Sequence, residues 1–439
     1  MTSAMPRSMV PAAPTKVLVA THSHPAISKG GAEIAAWRLY EALAAQPGWD
    51  VWFMGCVREP GARLGSAITQ PFGDRQFLYA SSSFDWFKFS NLDKTYPREL
   101  EAVLRDVVPD ILHFHHYVNF GVETFLHIKR ILPDSRIVLT LHEFQAICNH
   151  YGQMVTKQKK NLCYEATLRD CNKCFPEINR ADFFLRKAYV MRFFDLVDHF
   201  ISPSQFLAER YVAWGLPAAK MSVIENVIAP VDNAGDSTVK DDTNEDEADT
   251  LDIGYFGQIS FLKGIHVLLE AAAILEDEGV TNIRFDIHGD YSSQPEEFQT
   301  DFLTRLDKAG RNVRFHGAYD NQRVDRLMRM ADAVLVPSIW WENSPVVIQE
   351  CLRNKRPIIC SNIGGMAEKV RPGQDGFHFP VGSAAALAAL LRGLAKDRKK
   401  LTAITRTMQQ PDPPQVTAAK HVAIYDRLLA GRPAADQAA

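Results

Sequence analysis

The sequence predicts an α/β protein built from two doubly wound, parallel-sheet, Rossmann-like domains with a cleft between them. Three observations carry this. At 439 residues the chain is too long for a single hydrophobic core, and two or three domains are expected. Short apolar runs alternate with helical stretches, the pattern of a parallel sheet with crossover helices. The alternation breaks once, at 231–250, where eight acids and one lysine occur with almost no large apolar residue, and it restarts at Leu251. Such a segment cannot support a packed core, and we read it as a flexible acidic hinge.

The elements follow in order. Met1–Pro14 is rich in Pro, Ala and Ser and lacks an apolar stretch, so it reads as a disordered lead and not as a signal peptide. The first domain spans 15–230. Lys16–Ala20 is its first buried strand, and a loop through Gly30 and Gly31 follows. A helix over Ala32–Ala45 places Ala36, Leu39, Tyr40 and Leu43 on one face. Val51–Met54, Ile111–Phe114 and Ile137–Leu141 are further strands. An irregular, cysteine-containing insertion occupies 145–180. The second domain, 251–412, opens with a strand–Gly–helix unit at Leu251 and continues through strands Ile283–Gly289, Val313–Gly317 and Ala333–Pro337. Residues 413–439 read as a helix crossing back to the first domain, with a disordered tail.

Composition excludes several classes. Hydrophobic content of 46% and charged content of 23% are ordinary for a soluble globular protein. A net charge of −3 argues against a dedicated nucleic-acid binder. No window approaches 18 uninterrupted apolar residues, so no membrane-spanning helix is expected. Seven cysteines, an odd number, fit a cytoplasmic location with reduced thiols.

The chemistry concentrates after the strand-like run Ala333–Ser338. Glu342 lies on the loop that follows, and Glu350 on the helix after it. Ser344 suits an N-cap and Pro345 the first helical position. Glu350 then lies one turn after Val346 and Val347, on their side. A carboxylate there is costly unless something hydrogen-bonds it, as vicinal sugar hydroxyls would. The free N–H groups of the helix start suit a phosphate. In doubly wound sheets ligands bind beyond the carboxyl ends of the strands, where these loops lie. There Gly257–Gly264 lets backbone approach a phosphate, with Lys263 supplying charge.

E-x(7)-E after a strand, followed by Cys360–Glu368 and Gly373–Gly376, resembles the donor half of a retaining nucleotide-sugar glycosyltransferase of the two-domain GT-B fold, glycosyltransferase family 4. Gly254–Gly264, Ser202–Leu207 and Val223–Val227 extend the resemblance over residues 15–430. It implies that Glu342 contacts donor-sugar hydroxyls and Glu350 holds the ribose. Asn343 and Ser344 put backbone N–H groups near sugar and phosphate, and Pro345, which has no N–H, belongs to the same donor-binding stretch. Gly317 and Tyr319 lie beside the base. Lys263 matches the family's diphosphate-binding lysine, whereas Gln258 stands where the family has arginine. Gly30 and Gly31 face the diphosphate across the cleft, or form a plain tight turn. His142 faces the donor sugar, or is a core histidine; Glu143 replaces the family's aspartate. His113, His115 and His116 stay unassigned.

The implied reaction moves a sugar from a UDP- or GDP-sugar to a hydroxyl of a glycan or lipid-linked glycan, with Glu342, His142 and Lys263 catalytic and no cofactor required. Cell-surface polysaccharide assembly is the expected setting, in the cytoplasm or on the inner membrane face. An epimerase or hydrolase on the same fold, or a catalytically silent sugar-binding protein, are the alternatives.

Two features fall outside this reading. Cys148, Cys163, Cys171 and Cys174 crowd together and end in C-x2-C, which suits structural zinc; His150 is a rival ligand. Loosely placed thiols and a redox pair are the other readings. Residues 152–192 hold nine Lys/Arg against four Asp/Glu, interleaved with Phe183, Phe184, Tyr189, Phe193 and Phe194. This is a core-packed amphipathic helix, or a basic aromatic face lying on an anionic membrane. Phe84–Phe89 is a candidate stacking surface for acceptor sugars.

Overall fold

A computed structural model describes residues 13–28, 30–59, 65–229 and 250–431. Most of the expected N-terminal lead, the acidic hinge except its last residue, and the tail beyond 431 lie outside the described residues. Two parallel sheets organise the rest, as the alternating pattern predicts, and the fold is GT-B.

The first sheet has eight strands in the order β10-β9-β8-β7-β1-β2-β4-β3. They are β1 (Thr15–Ala20), β2 (Trp49–Arg58), β3 (Ile68–Thr69), β4 (Gln76–Ser81), β7 (Ile111–Phe114), β8 (Arg136–Thr140), β9 (His199–Ser202) and β10 (Met221–Val223). All neighbours pair in parallel except β3 with β4. Phe84–Asp85 (β5) and Ser90–Asn91 (β6) form a separate small ribbon. The second sheet is β13-β12-β11-β14-β15-β16 and wholly parallel. Its strands are β11 (Leu251–Phe256), β12 (Ile283–His288), β13 (Val313–Gly317), β14 (Ala333–Val336), β15 (Ile358–Ser361) and β16 (Gly376–Phe379). The central strands are buried on both faces, which is why they read as continuous apolar runs.

Strand order positions the site. In the first sheet β1 lies between β2 and β7, and in the second β11 lies between β12 and β14. Each is a topological switch point, where the connections on either side diverge and leave a crevice at the strands' carboxyl ends. His22, Gly31, His115 and His116 follow β1 or β7. Lys263 and Glu342 follow β11 and β14.

The helix Pro414–Ala430 packs on the first sheet. Ala418, Ile424 and Tyr425 join a core with Val17, Val19 and Ile201. Tyr425 OH lies 2.6 Å from His113 Nδ1, and Arg136 Nε donates to Leu428 O at 3.1 Å.

The helix Arg180–Phe194 buries Phe183, Val190, Phe193 and Phe194. Its Arg186 is buried too and donates to the carbonyls of Phe87 and Ala146 at 2.7 Å and of Gln145 at 2.5 Å. A guanidinium needs such partners away from water, and these three carbonyls tie the start of the insertion to the Phe84–Phe89 loop. Phe84 and Phe89 are buried in that loop, and Trp86 stays 42% exposed.

The zinc expectation is not supported. Among the described residues no three His, Cys, Asp or Glu side chains are grouped as a metal requires. Cys148, Cys163, Cys171 and Cys174 are free thiols. Cys163 Sγ donates to Glu165 O at 3.1 Å. Burial, more than the neighbouring thiols, pushes Cys171 up to about 12, and Cys148 and Cys163 are raised for the same first reason. Ligation needs three or four such side chains grouped around one point, and these four do not form that group.

Candidate functional site

Two helix N-termini meet at the cleft. The helix Gly31–Ala44 starts after Gly30, an extended N-cap with no side chain to occupy the free amides. Opposite it starts the helix Val346–Arg353. A Cβ built on Gly31 would lie 3.6 Å from Val346 Cγ2, so the two starts are in near contact across the domains. Their combined amides and dipoles favour an anion between them.

Ser344 does not cap its helix. Pro345 is the N-cap, with extended ψ of 124°, so the helix begins one residue later than the sequence suggests. The Ser344 hydroxyl instead donates to Glu225 Oε1 at 2.5 Å. Glu225 also pairs with Lys369. Asn343 Nδ2 donates to His142 O at 2.9 Å, a second link between the domains. A third is Glu368, which accepts the N–H groups of Gln205 and Phe206 at 2.8 Å each and so caps the helix Gln205–Trp214.

Glu342 is buried, and three donors converge on one of its oxygens. Lys263 Nζ lies 2.5 Å from Oε1, Ser338 Oγ 2.9 Å and Trp340 Nε1 2.9 Å. The loops bearing Lys263 and Glu342 are pressed together: Ile339 N donates to Leu262 O at 2.9 Å. Gly264, with φ of +73°, lies so close to Pro337 that an added Cβ would fall 1.9 Å from its carbonyl oxygen. Only glycine fits both the conformation and the approach.

A cavity of about 290 Å³ opens between the domains, with His22, Gly31, Glu33, His116, His142 and Ser344 on its walls. A smaller one of about 130 Å³ adjoins it at His142, beside Tyr151, Trp340, Trp341, Glu342 and Asn343. Glu143 lines both. Burial pushes Glu143 up to about 8 and His22, His116 and His142 down to about 4, 3 and 3. At neutral pH the three imidazoles are therefore uncharged and Glu143 is largely a neutral acid.

Glu350 lies outside both cavities, as do Gln258, Gly317, Tyr319, Pro345 and Lys263. Burial raises Glu350 to about 7, with Arg353 opposing and Asp325 assisting. Tyr319 neighbours it, since the Tyr319 phenol is raised by burial and then by Glu350. Gln258 is exposed and its amide reaches Ser293 Oγ at 3.4 Å. The sequence reading missed Ser338 and Trp340 as partners of Glu342, and Glu33, which takes Ser28 Oγ at 3.3 Å and lies 3.3 Å from His22 Nε2. The short spacing of Ser338 and Trp340 from Glu342 was the available signal; Glu33 follows Gly31 by two residues.

Comparison with known proteins places the chain in a family. The model for Glycosyltransferase Family 4 matches residues 29–230, and that for Glycosyl transferases group 1 matches 237–410. The chain belongs to glycosyltransferase family 4. This family 4 chain is 30% identical over 215 residues to the lipopolysaccharide 1,2-N-acetylglucosaminetransferase of Salmonella typhimurium, covering 46% of the chain and 54% of that protein. It is 31% identical over 148 residues to the glycogen synthase of Mycobacterium tuberculosis, covering 33% of each. The chain thus spans about half the length of the first curated relative, and less of the second. Its fold is similar to that of Anabaena HepE in complex with UDP, with TM-score 0.63 and 16% identity over 95% of this chain and 98% of that one. It is also similar to the sucrose-phosphate synthase of Thermosynechococcus elongatus, with TM-score 0.64 and 16% identity over 95% and 99%.

Proposed function

We propose that this family 4 chain is a retaining glycosyltransferase moving a sugar from a nucleoside diphosphate sugar to a hydroxyl of a glycan or lipid-linked glycan, in cell-surface polysaccharide assembly. The observation that carries the reading is the meeting of two helix N-termini beside a cavity lined by Glu342, whose carboxylate pairs with Lys263 at 2.5 Å. Anion-binding amides, one cation and one carboxylate are the groups a sugar diphosphate needs. The amides of Gly31, Ser344 and Val346 hold the diphosphate with Lys263. Glu342 and His142 contact the sugar, and Glu350 takes the ribose with Tyr319 and Gly317 beside the base. The acceptor hydroxyl attacks from the leaving-group face. Its oxygen bonds the anomeric carbon, the carbon–phosphate oxygen bond breaks, and the proton passes to the departing diphosphate. Because HepE is described in complex with UDP and with UDP-glucose, uridine diphosphate sugars are the first donors to test.

Nucleotide release, measured with and without candidate glycan acceptors, tests the reaction, and NMR of the product tests retention. Release that needs no acceptor would favour the hydrolase alternative. Absence of both release and nucleotide-sugar binding would favour a silent protein.

Glu350→Gln should lower nucleoside diphosphate affinity about tenfold, because charge-assisted hydrogen bonds to the ribose are lost. The wild-type affinity should also rise between pH 6 and 8, since Glu350 loses its proton near 7 and only the carboxylate accepts both hydroxyls. The variant should lack that rise. Titration calorimetry across this range decides; an identical pH dependence in both proteins removes Glu350 from the ribose.

Peripheral contact with an anionic membrane belongs to the same proposal. Phe184 and Leu185 are 60% and 56% exposed on the Arg180–Phe194 helix, beside exposed Arg180, Lys187 and Arg192. Apolar side chains ringed by cations suit an anionic interface. The double variant Phe184→Ser, Leu185→Ser should lose sedimentation with phosphatidylglycerol vesicles while keeping nucleotide binding. Equal sedimentation of both proteins would end this part of the proposal.

A further inference from the structure

We propose that His115 is a positioning residue for His142. By donating its Nδ1–H to His142 Nε2 it fixes the tautomer in which His142 carries its own proton on Nδ1 and offers that N–H to the cleft.

The geometry is specific. His115 Nδ1 lies 3.0 Å from His142 Nε2, and the two rings are stacked with centroids 5.2 Å apart. A neutral imidazole has one N–H and one bare nitrogen, so one ring must donate and the other accept. His115 decides which. It is buried, and its Nε2 has no hydrogen-bond partner among the described residues. If His142 donated, the His115 proton would sit on Nε2, a buried N–H without an acceptor. With His115 donating, the partnerless atom is only a lone pair. Orphaned buried N–H groups are the rarer defect, so the second arrangement is favoured. The tautomer of a histidine follows from the bond its other nitrogen makes.

The next ring holds His115 in place. His113 lies behind it with centroids 4.6 Å apart. Both His113 nitrogens are engaged, one 2.6 Å from Tyr425 OH and the other 2.7 Å from Thr140 Oγ1. His113 is therefore not available to His115 Nε2. The chain of rings runs from the cleft to the C-terminal helix, and its last member before the cleft is His142, which lines both cavities. Burial keeps His142 uncharged down to about pH 3, so at working pH its tautomer, not its charge, sets what it can bond. As an Nδ1–H donor it recognises a sugar or phosphate oxygen through a lone pair.

The kinetic consequence rests on the glycosyltransferase reading; the tautomer does not. Nitrogen–proton correlation NMR of the full chain labelled with 15N-histidine reads the tautomer directly, with the His142 signals assigned by their loss in His142→Gln. We expect the proton on Nδ1 in the wild type. It should persist in His115→Asn, whose amide N–H replaces the Nδ1–H donor, and be lost in His115→Phe. With a competent donor and acceptor, His115→Phe should lower kcat about tenfold at nearly constant donor KM, and His115→Asn should restore most of it. In a His142→Ala background His115→Phe should have little further effect. A proton on Nε2 of wild-type His142 overturns the proposal, as does an Asn variant indistinguishable from the Phe variant. Should the Phe variant not fold, the wild-type and Asn spectra still decide. The expected tautomer in a protein that transfers no sugar would instead overturn the glycosyltransferase reading.

Discussion

Glu342→Ala should lower turnover by about 10²-fold while leaving affinity for the sugar-free nucleoside diphosphate unchanged or slightly higher. The direction follows from the bonds Glu342 makes. Its Oε1 receives Ser338 Oγ, Trp340 Nε1 and Lys263 Nζ, so the carboxylate is held in one place before any ligand arrives. A preorganised acceptor of this kind stabilises developing charge on the sugar without reorganising at the moment of reaction. Its removal should therefore reach kcat. Lys263 is about one-third exposed and pairs with this carboxylate. The variant frees that ammonium for the diphosphate, which is why nucleotide affinity should not fall. Steady-state kinetics beside titration with the bare nucleoside diphosphate separates the two effects. Parallel losses in turnover and in nucleotide affinity would move Glu342 from the sugar to the nucleotide.

Legibility in the sequence tracks the range over which an interaction acts. The strand runs at Lys16–Ala20, Ile111–Phe114 and Ala333–Val336 could be read because burial on both faces writes itself into consecutive residues. The E-x(7)-E spacing was readable for the same reason: strand, loop and helix are local. Where the hydroxyl of Ser344 goes was not readable. It was expected at its own helix, yet it meets Glu225, 119 positions away. Lys369 reaches the same glutamate across 144 positions. Such pairs join the two domains, and no local pattern announces them. The cysteines fail in the opposite direction. C-x2-C is a local spacing that fits metal ligation, but ligation also requires ligands from elsewhere in the insertion to complete a metal-holding group, and none forms among the described residues. The His115–His142 contact lies between. Each histidine ends a strand, β7 or β8, and those strands are neighbours, so the proximity was implicit once the sheet order was known.

Gly365→Ala should cost about 10²-fold in turnover and about 1–3 kcal/mol in stability, although the residue touches no proposed ligand. Gly365 N donates to Glu342 O at 2.8 Å, so this glycine backs the loop that carries Glu342 and Asn343. A Cβ on Gly365 would fall 1.9 Å from Asn343 O and 2.8 Å from Glu342 O. Both neighbours are backbone, and neither can swing aside as a side-chain tip would. The loop must retreat by an ångström or more to reach ordinary contact, and it carries Glu342 away from Ser338 and Trp340 and Asn343 away from His142. Misplacement on that scale is enough to lose two decades of rate. Alanine at the adjacent Gly364 makes a contrasting variant. There the nearest contact is 3.1 Å, but φ is +54°, so the penalty is backbone strain more than collision. Gly364→Ala should therefore lose stability with a smaller loss of kcat. Thermal unfolding and single-turnover rates on the two variants separate the cases. A Gly365→Ala protein with wild-type turnover would mean that the position of the Glu342 loop does not limit the reaction.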